Sequence, residues 1–262
     1  MKIIAVIPAR YASTRLPGKP LKDICGKPMV WWVYSKVKSI ESIDQTIVAT
    51  DDERIYKVCK DYDIDVVMTA DNHPTAIHRL YEVAETVEGD IYLQVNGDEP
   101  LINERILLKF VEEIRQTSLE GACGMNAISK MTDPVQVMDP ANIKMVFNEE
   151  LECCYMSRAP IPFPFKSLDY QYYKHIGLIA YTKEMLLFFT VTAPGHFERV
   201  EGIDLLRFID YGKKLHLIDV GQCETLSVDT EKDLEMVRKK MNRQQDKTFI
   251  GSERYNEAHL KN

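Results

Sequence analysis

Three cations, Arg10, Arg15 and Lys19, crowd into the stretch Ile7-Pro8-Ala9-Arg10-Tyr11-Ala12-Ser13-Thr14-Arg15-Leu16-Pro17-Gly18-Lys19-Pro20-Leu21. Arginine offers paired hydrogen bonds and lysine a compact charge. On a loop, with backbone N–H groups beside them, they can surround a polyphosphate. The pattern GxxxxGK[ST] is absent, so this is not a P-loop. Further on, Asn96-Gly97-Asp98-Glu99-Pro100 offers a carboxylate in a tight turn. Asp98 there can hold Mg²⁺ against phosphate oxygens, because that ion takes few protein carboxylates and keeps several waters. Asp229, just before a helix, is a second acidic candidate. Arg158, His175 and Tyr181 offer a cation, an imidazole and a phenol, side chains able to receive a carboxylate and hydroxyls.

These residues need a scaffold. Lys2–Ile7 reads as a buried strand ending at Pro8. Met29–Val37 reads as a helix opened by Pro28. Strands follow at Thr46–Thr50, Asp65–Met68 and Asp90–Val95. They alternate with helices at Glu53–Tyr62 and His78–Val87 and a helix capped by Asn103. Strand–loop–helix repetition predicts an α/β fold with a mainly parallel, Rossmann-like sheet flanked by helices, with ligands beyond the strands' carboxyl ends. Asp51-Asp52 are expected to close a turn and start a helix, and His73 and His78 to be structural. After Gly121 the pattern predicts a hairpin (Asn142–Phe147 with Cys153–Met156), a strand at His175–Thr182, one amphipathic helix over Glu198–Tyr211, a strand at Leu215–Val220 and a helix from Thr230 with Leu234, Val237 and Met241 inward. The expected organisation is a single domain over 1–242. Its larger part covers about 1–125 and 213–242, and a smaller mixed α+β lobe covers 126–212. Residues 243–262 are expected to be a mobile tail.

Composition narrows the classes. The 262 residues carry a formal net charge of −7, with 45% hydrophobic and 28% charged residues. This is ordinary globular composition and argues against a nucleic-acid partner. No apolar run reaches the roughly 18 residues of a membrane span. The six scattered cysteines lack metal-ligand spacing and suit reduced thiols in a cytoplasmic protein.

The basic loop and the GDEP turn resemble the signatures of the cytidylyltransferases that activate acidic sugars as CMP esters, the CMP-Kdo (3-deoxy-manno-octulosonate) synthetase family in particular. Val48-Ala49-Thr50-Asp51, Ser157-Arg158-Ala159-Pro160-Ile161-Pro162, His175-Ile176-Gly177, the stretch from Glu198 to Arg207, and Val228-Asp229-Thr230-Glu231-Lys232-Asp233-Leu234 are similar to that family in the same order. The resemblance implies Mg²⁺-dependent transfer of CMP from CTP to an anionic acceptor, with pyrophosphate released. It implies catalytic roles for Arg10, Lys19 and Asp98. It places Pro8, Ala9, Arg10, Arg15, Lys19, Arg79 and Asp98 around the nucleotide and pairs Asp98 with Asp229 on the metal. Asn96, Arg158, His175, Tyr181 and Glu201 fall around the acceptor, with Glu201 a better match than Glu198. A homodimer is implied too, and the aromatic, proline-rich 159–173 stretch suits its surface. Three positions depart from the pattern: Asn96 and Leu205 each stand where those enzymes carry Gln, and Thr75-Ala76-Ile77 where they carry Ser-Gly-Thr. The alternatives are the same transfer to another sugar acid, a phosphate or a phosphonate, a glycosyltransferase on this scaffold, or a non-catalytic nucleotide binder.

Overall fold

The computed structural model describes residues 1–118, 121–223 and 226–243; the expected tail lies almost wholly outside them. The chain opens with β1 (Ile3–Ala9), the basic loop, a 3-10 turn (Lys19–Leu21) and a small hairpin of β2 (Asp23–Ile24) and β3 (Lys27–Pro28). Then come α1 (Met29–Lys38), β4 (Gln45–Thr50), α2 (Glu53–Asp61), β5 (Val66–Met68), α3 (Ala76–Thr86), β6 (Ile91–Val95) and α4 (Glu104–Gln116). The second half holds β7 (Gly124–Lys130), α5 (Pro134–Met138), β8 (Lys144–Phe147), β9 (Cys153–Ser157), β10 (Tyr173–Tyr181), α6 (Lys183–Val191), α7 (His196–Glu201), α8 (Leu206–Asp210), β11 (Leu215–Asp219) and a helix α9 over 231–243.

One sheet runs through both halves in the order β11-β7-β10-β6-β1-β4-β5, with β8 pairing β10 and β9 pairing β8. Strands β6, β1, β4 and β5 are parallel, as are β7 and β11, while β10 lies antiparallel between β6 and β7. Strand alternation sorts the core. Ile3, Ala5 and Ile7 of β1 pack under α1, α2 and α4, whereas Ile4 and Val6 pack under α3, α6 and α8. A third cluster seats Leu234, Val237 and Met241 of α9 against Ile24 and Met29.

Local chemistry explains most boundaries. Asp52 accepts from the Arg54 N–H and caps α2, and Asn103 accepts from the Arg105 N–H and caps α4. The single helix expected over Glu198–Tyr211 is instead two, α7 and α8. Gly202 adopts φ 63° and donates its N–H back to the Glu198 carbonyl at 2.8 Å, which ends α7. Strand β7 and helices α5 and α6 were not foreseen. β7 is interrupted by the buried polar residues Asn126 and Ser129, so it shows no apolar run. No described helix is long and apolar enough to cross a membrane, and all six cysteines are free thiols.

Candidate active site

The basic loop leaves the carboxyl end of β1 and folds back on itself. Gly18 donates to the Tyr11 carbonyl at 3.0 Å with φ 66°, and a Cβ there would sit 2.9 Å from the Tyr11 ring. Glycine is required on both counts. The Arg54 guanidinium covers that ring at 3.3 Å. This closure delivers Lys19 to two carboxylates, Asp98 Oδ2 at 2.8 Å and Asp229 Oδ1 at 3.2 Å, while Arg15 reaches Asp229 at 3.2 Å. Asp229 arrives from far along the chain because Val228 donates to the Asp98 carbonyl at 2.8 Å. The basic stretch and the two aspartates thus line one cavity of about 470 Å³ with Pro8, Arg10, Asn96 and Gly97.

Asp98 Oδ1 is buried and, among the described residues, has no hydrogen-bond partner. Next to it Glu99 is buried and pushed up to about 8 by desolvation and by the Asp98 charge. A carboxylate oxygen left without a partner beside a second acid suits a small hard cation. Asp98 and Asp229 could hold Mg²⁺, with the remaining positions left to water and phosphate oxygens.

Pro8, Ala9 and Arg10 also border a smaller cavity of about 120 Å³ with His73, Thr75, Ala76 and Arg79. Arg79 is buried and donates to Asp51 Oδ2 at 2.6 Å and to Thr69. Asp51 therefore does more than close a turn: it fixes the guanidinium at the rim of this pocket.

Beyond Asn96 lies a third cavity of about 200 Å³, lined by Gln94, His175, Tyr181 and Asp204 on its polar side and by Ile77, Ile143, Ile179, Ile203 and Leu205 on its apolar side. The antiparallel β10 brings it here, since the early residues of β10 meet the carboxyl end of β6 and Asn96 donates to the Gly177 carbonyl. A Cβ on Gly177 would collide with Asn96 and Glu99. The register slips between His175 and Ile179, and Asn126 Nδ2 fills the gap by donating to the Ile176 and Leu178 carbonyls. Its oxygen must then face His175 Nδ1 at 2.7 Å, so that nitrogen carries the proton and Nε2 is left as an acceptor.

Burial lowers His175 to about 4, so it is neutral at pH 7. Unfolded histidine titrates near 6.5. Between those values the unfolded chain binds the extra proton, so stability is full above pH 6.5 and falls as pH drops towards 4. Denaturant unfolding is expected to lose about 3 kcal/mol over that window through this residue, and His175→Gln to flatten the curve by a similar amount. An unchanged pH dependence in the variant would refute the assignment.

Arg158 and Glu201, expected at the acceptor, instead bond to each other's segments. Glu201 Oε1 accepts from the Ser157 hydroxyl at 2.6 Å and Oε2 from the Arg158 N–H at 2.9 Å. The Arg158 guanidinium donates to the Glu201, Gly202 and Pro140 carbonyls. Together they splint the end of α7 to β9, and neither lines the three cavities. Asp204 and Gln94, not anticipated, do. Asp204 is raised by burial and by Glu198, with Arg10 and Arg207 opposing. Its signal was available as the acid directly before Leu205.

Comparison with known proteins identifies the family. Residues 4–215 match the family model described as cytidylyltransferase. A 3-deoxy-manno-octulosonate cytidylyltransferase of Hydrogenovibrio crunogenus is 34% identical over 246 residues, covering 92% of this chain and 99% of that protein. One from Solibacter usitatus is 37% identical over 238 residues, covering 90% and 93%. A solved structure of CMP:2-keto-3-deoxy-manno-octonic acid synthetase complexed with CTP superposes with a TM-score of 0.87 at 33% identity, covering 93% of this chain and all of that one. Sequence, fold and the cradle of cations over two aspartates agree: the chain belongs to the cytidylyltransferase family and is a CTP-dependent nucleotidyltransferase.

Proposed function

We propose that this enzyme transfers CMP from CTP to an acidic sugar, Kdo or a related ulosonic acid, with release of pyrophosphate. The observation that carries the reading is the convergence of Lys19 and Arg15 on Asp98 and Asp229 in one cavity, beside a second cavity with polar groups placed to receive a sugar.

Arg15 and Lys19 neutralise the triphosphate, and Lys19 exchanges its carboxylate partners for phosphate oxygens as the nucleotide enters. Arg10, on the rim shared by the larger and the smallest cavity, stands where the acceptor's carboxylate meets the nucleotide. Arg79, held by Asp51, borders the pocket left for the base. His175 Nε2, Tyr181 and Asp204 receive acceptor hydroxyls, and Asn96 separates the two substrates. An acceptor hydroxyl attacks the α-phosphorus in line. The new C–O–P bond forms as the bond to the β-phosphate oxygen breaks, and the hydroxyl proton passes to solvent. When bound at Asp98 and Asp229, Mg²⁺ would supply charge neutralisation at the reacting phosphate oxygens.

The apolar wall of Ile77 and Leu205 favours, as a second reading, a sugar acid differing from Kdo where these residues touch it. We also propose a homodimer. Phe163, Phe165 and Leu168 are 80–88% exposed in the proline-rich stretch, and a second copy would cover them; sedimentation at two concentrations checks this.

Pyrophosphate release from CTP and Mg²⁺ across a panel of ulosonic acids, sugar phosphates and phosphonates tests the function. Release is expected with one or more ulosonic acids. Release with phosphates or phosphonates alone would replace the acceptor class, and none with any of them would refute the reading.

A further inference from the structure

Gln94 sits on β6 between apolar neighbours in register, Val6 on β1 and Ile179 on β10. It is 7% exposed. Its Nε2 donates to Asn96 Oδ1 at 3.1 Å. Its Oε1 is buried and, among the described residues, unpartnered, as is the hydroxyl of Tyr181. Both side chains line the 200 Å³ cavity. A buried amide oxygen without a donor is costly to the free protein, and an apolar side chain of the same size would pack between Val6 and Ile179 without that cost. The amide is thus placed for something that enters.

We infer that Gln94 is a specificity-determining residue of the acceptor site: its Oε1 accepts a hydroxyl hydrogen from the bound acid, and its Nε2 holds Asn96 at the boundary with the triphosphate cavity. The inference rests on the proposed transfer to an acidic sugar and deepens it. Gln94 Oε1 and His175 Nε2 both accept and neither can donate, so this wall reads hydroxyl hydrogens. Across the cavity Ile77, Ile143, Ile203 and Leu205 can only pack carbon. The acceptor is therefore a sugar acid with a hydroxyl facing β6 and a hydrocarbon edge facing these four side chains. Its analogue lacking that hydroxyl would leave the amide oxygen unpaired and be rejected.

Gln94→Met, close in shape but without the amide, separates this role from a structural one. With the ulosonic acid that the wild type uses best, the variant's acceptor KM is expected to rise at least tenfold, with the CTP KM changed less than twofold. Among monodeoxy analogues of that acid, the wild type is expected to discriminate at least tenfold against one, and the variant to lose this preference. The melting temperature is expected to stay level or rise, which a structural glutamine would not allow. An unchanged acceptor KM, a joint rise in both KM values or a lower melting temperature would overturn the assignment while leaving the proposed function standing. A wild type that releases no pyrophosphate with any ulosonic acid would fell the proposed function, and this assignment with it.

Discussion

Asp98→Asn is expected to lower turnover at least a thousandfold while leaving the protein as stable as before. The substitution keeps size and shape but removes the charge from a carboxylate that contacts Lys19 at 2.8 Å and whose other oxygen is buried and, among the described residues, without a partner. If the turn exists to gather positive charge against a triphosphate, losing one anionic ligand removes stabilisation worth about 4 kcal/mol at the reacting phosphate. Stability should not follow. Glu99 is raised partly by the Asp98 charge, so neutralising Asp98 relieves a repulsion. Lys19 keeps Asp229 at 3.2 Å. Pyrophosphate release and thermal unfolding measured on the same preparation separate the two effects. Turnover within tenfold of the wild type would remove Asp98 from the chemistry, and a large loss of melting temperature would make it a structural residue.

The cavity of cations and carboxylates was legible in the sequence because its determinants are local. Lys19 follows a glycine that must turn, and Asp98 follows a strand that ends, so residue type and position alone predict a loop at a strand's carboxyl end. Asp229 is 210 positions from Lys19, and only the ordering of motifs hinted at their meeting; the hydrogen bond from Val228 to the Asp98 carbonyl accomplishes it. The cavity beyond Asn96 was harder to read for three physical reasons. An antiparallel strand in the middle of a parallel sheet leaves no periodic trace, so the juxtaposition of β10 with β6 was hidden. Gln94 occupies an inward strand position where a polar residue breaks the pattern without saying which neighbour it serves. Finally, Gly202 divides what reads as one amphipathic helix. With the break, Glu201 turns to β9 and Asp204 takes the place at the cavity wall.

At that break the corner between α7 and α8 is held by Asp210, whose carboxylate accepts from the Phe197 and Glu198 N–H groups, and by a buried ion pair, and Arg207→Met is expected to be the most destabilising single change outside the apolar core. Arg207 Nε and one terminal nitrogen reach the two Glu198 oxygens at 2.7 and 2.5 Å. The other terminal nitrogen donates to the Phe189 and Thr192 carbonyls, and the guanidinium stacks 3.7 Å from the Phe189 ring. Both partners are buried. Removing the arginine strands the Glu198 carboxylate in a low-dielectric site and unpairs two carbonyls, which costs about 3–5 kcal/mol, or roughly 10 °C in a protein of this size. Replacing both residues together, Arg207→Met with Glu198→Leu, removes the stranded charge and should recover most of that loss, because the pair's own attraction is largely cancelled by its desolvation. The double variant then isolates what the pair does for function. Ile203, Asp204 and Leu205 reach the cavity only because the corner is fixed, so the double variant is expected to melt near the wild type yet bind the acceptor more weakly, with its CTP KM unchanged. A double variant as unstable as Arg207→Met alone would show that the carbonyl contacts, and not the ion pair, hold the corner. One with wild-type acceptor KM would show that Asp204 is positioned by the backbone of the Gly202 turn without help from the arginine.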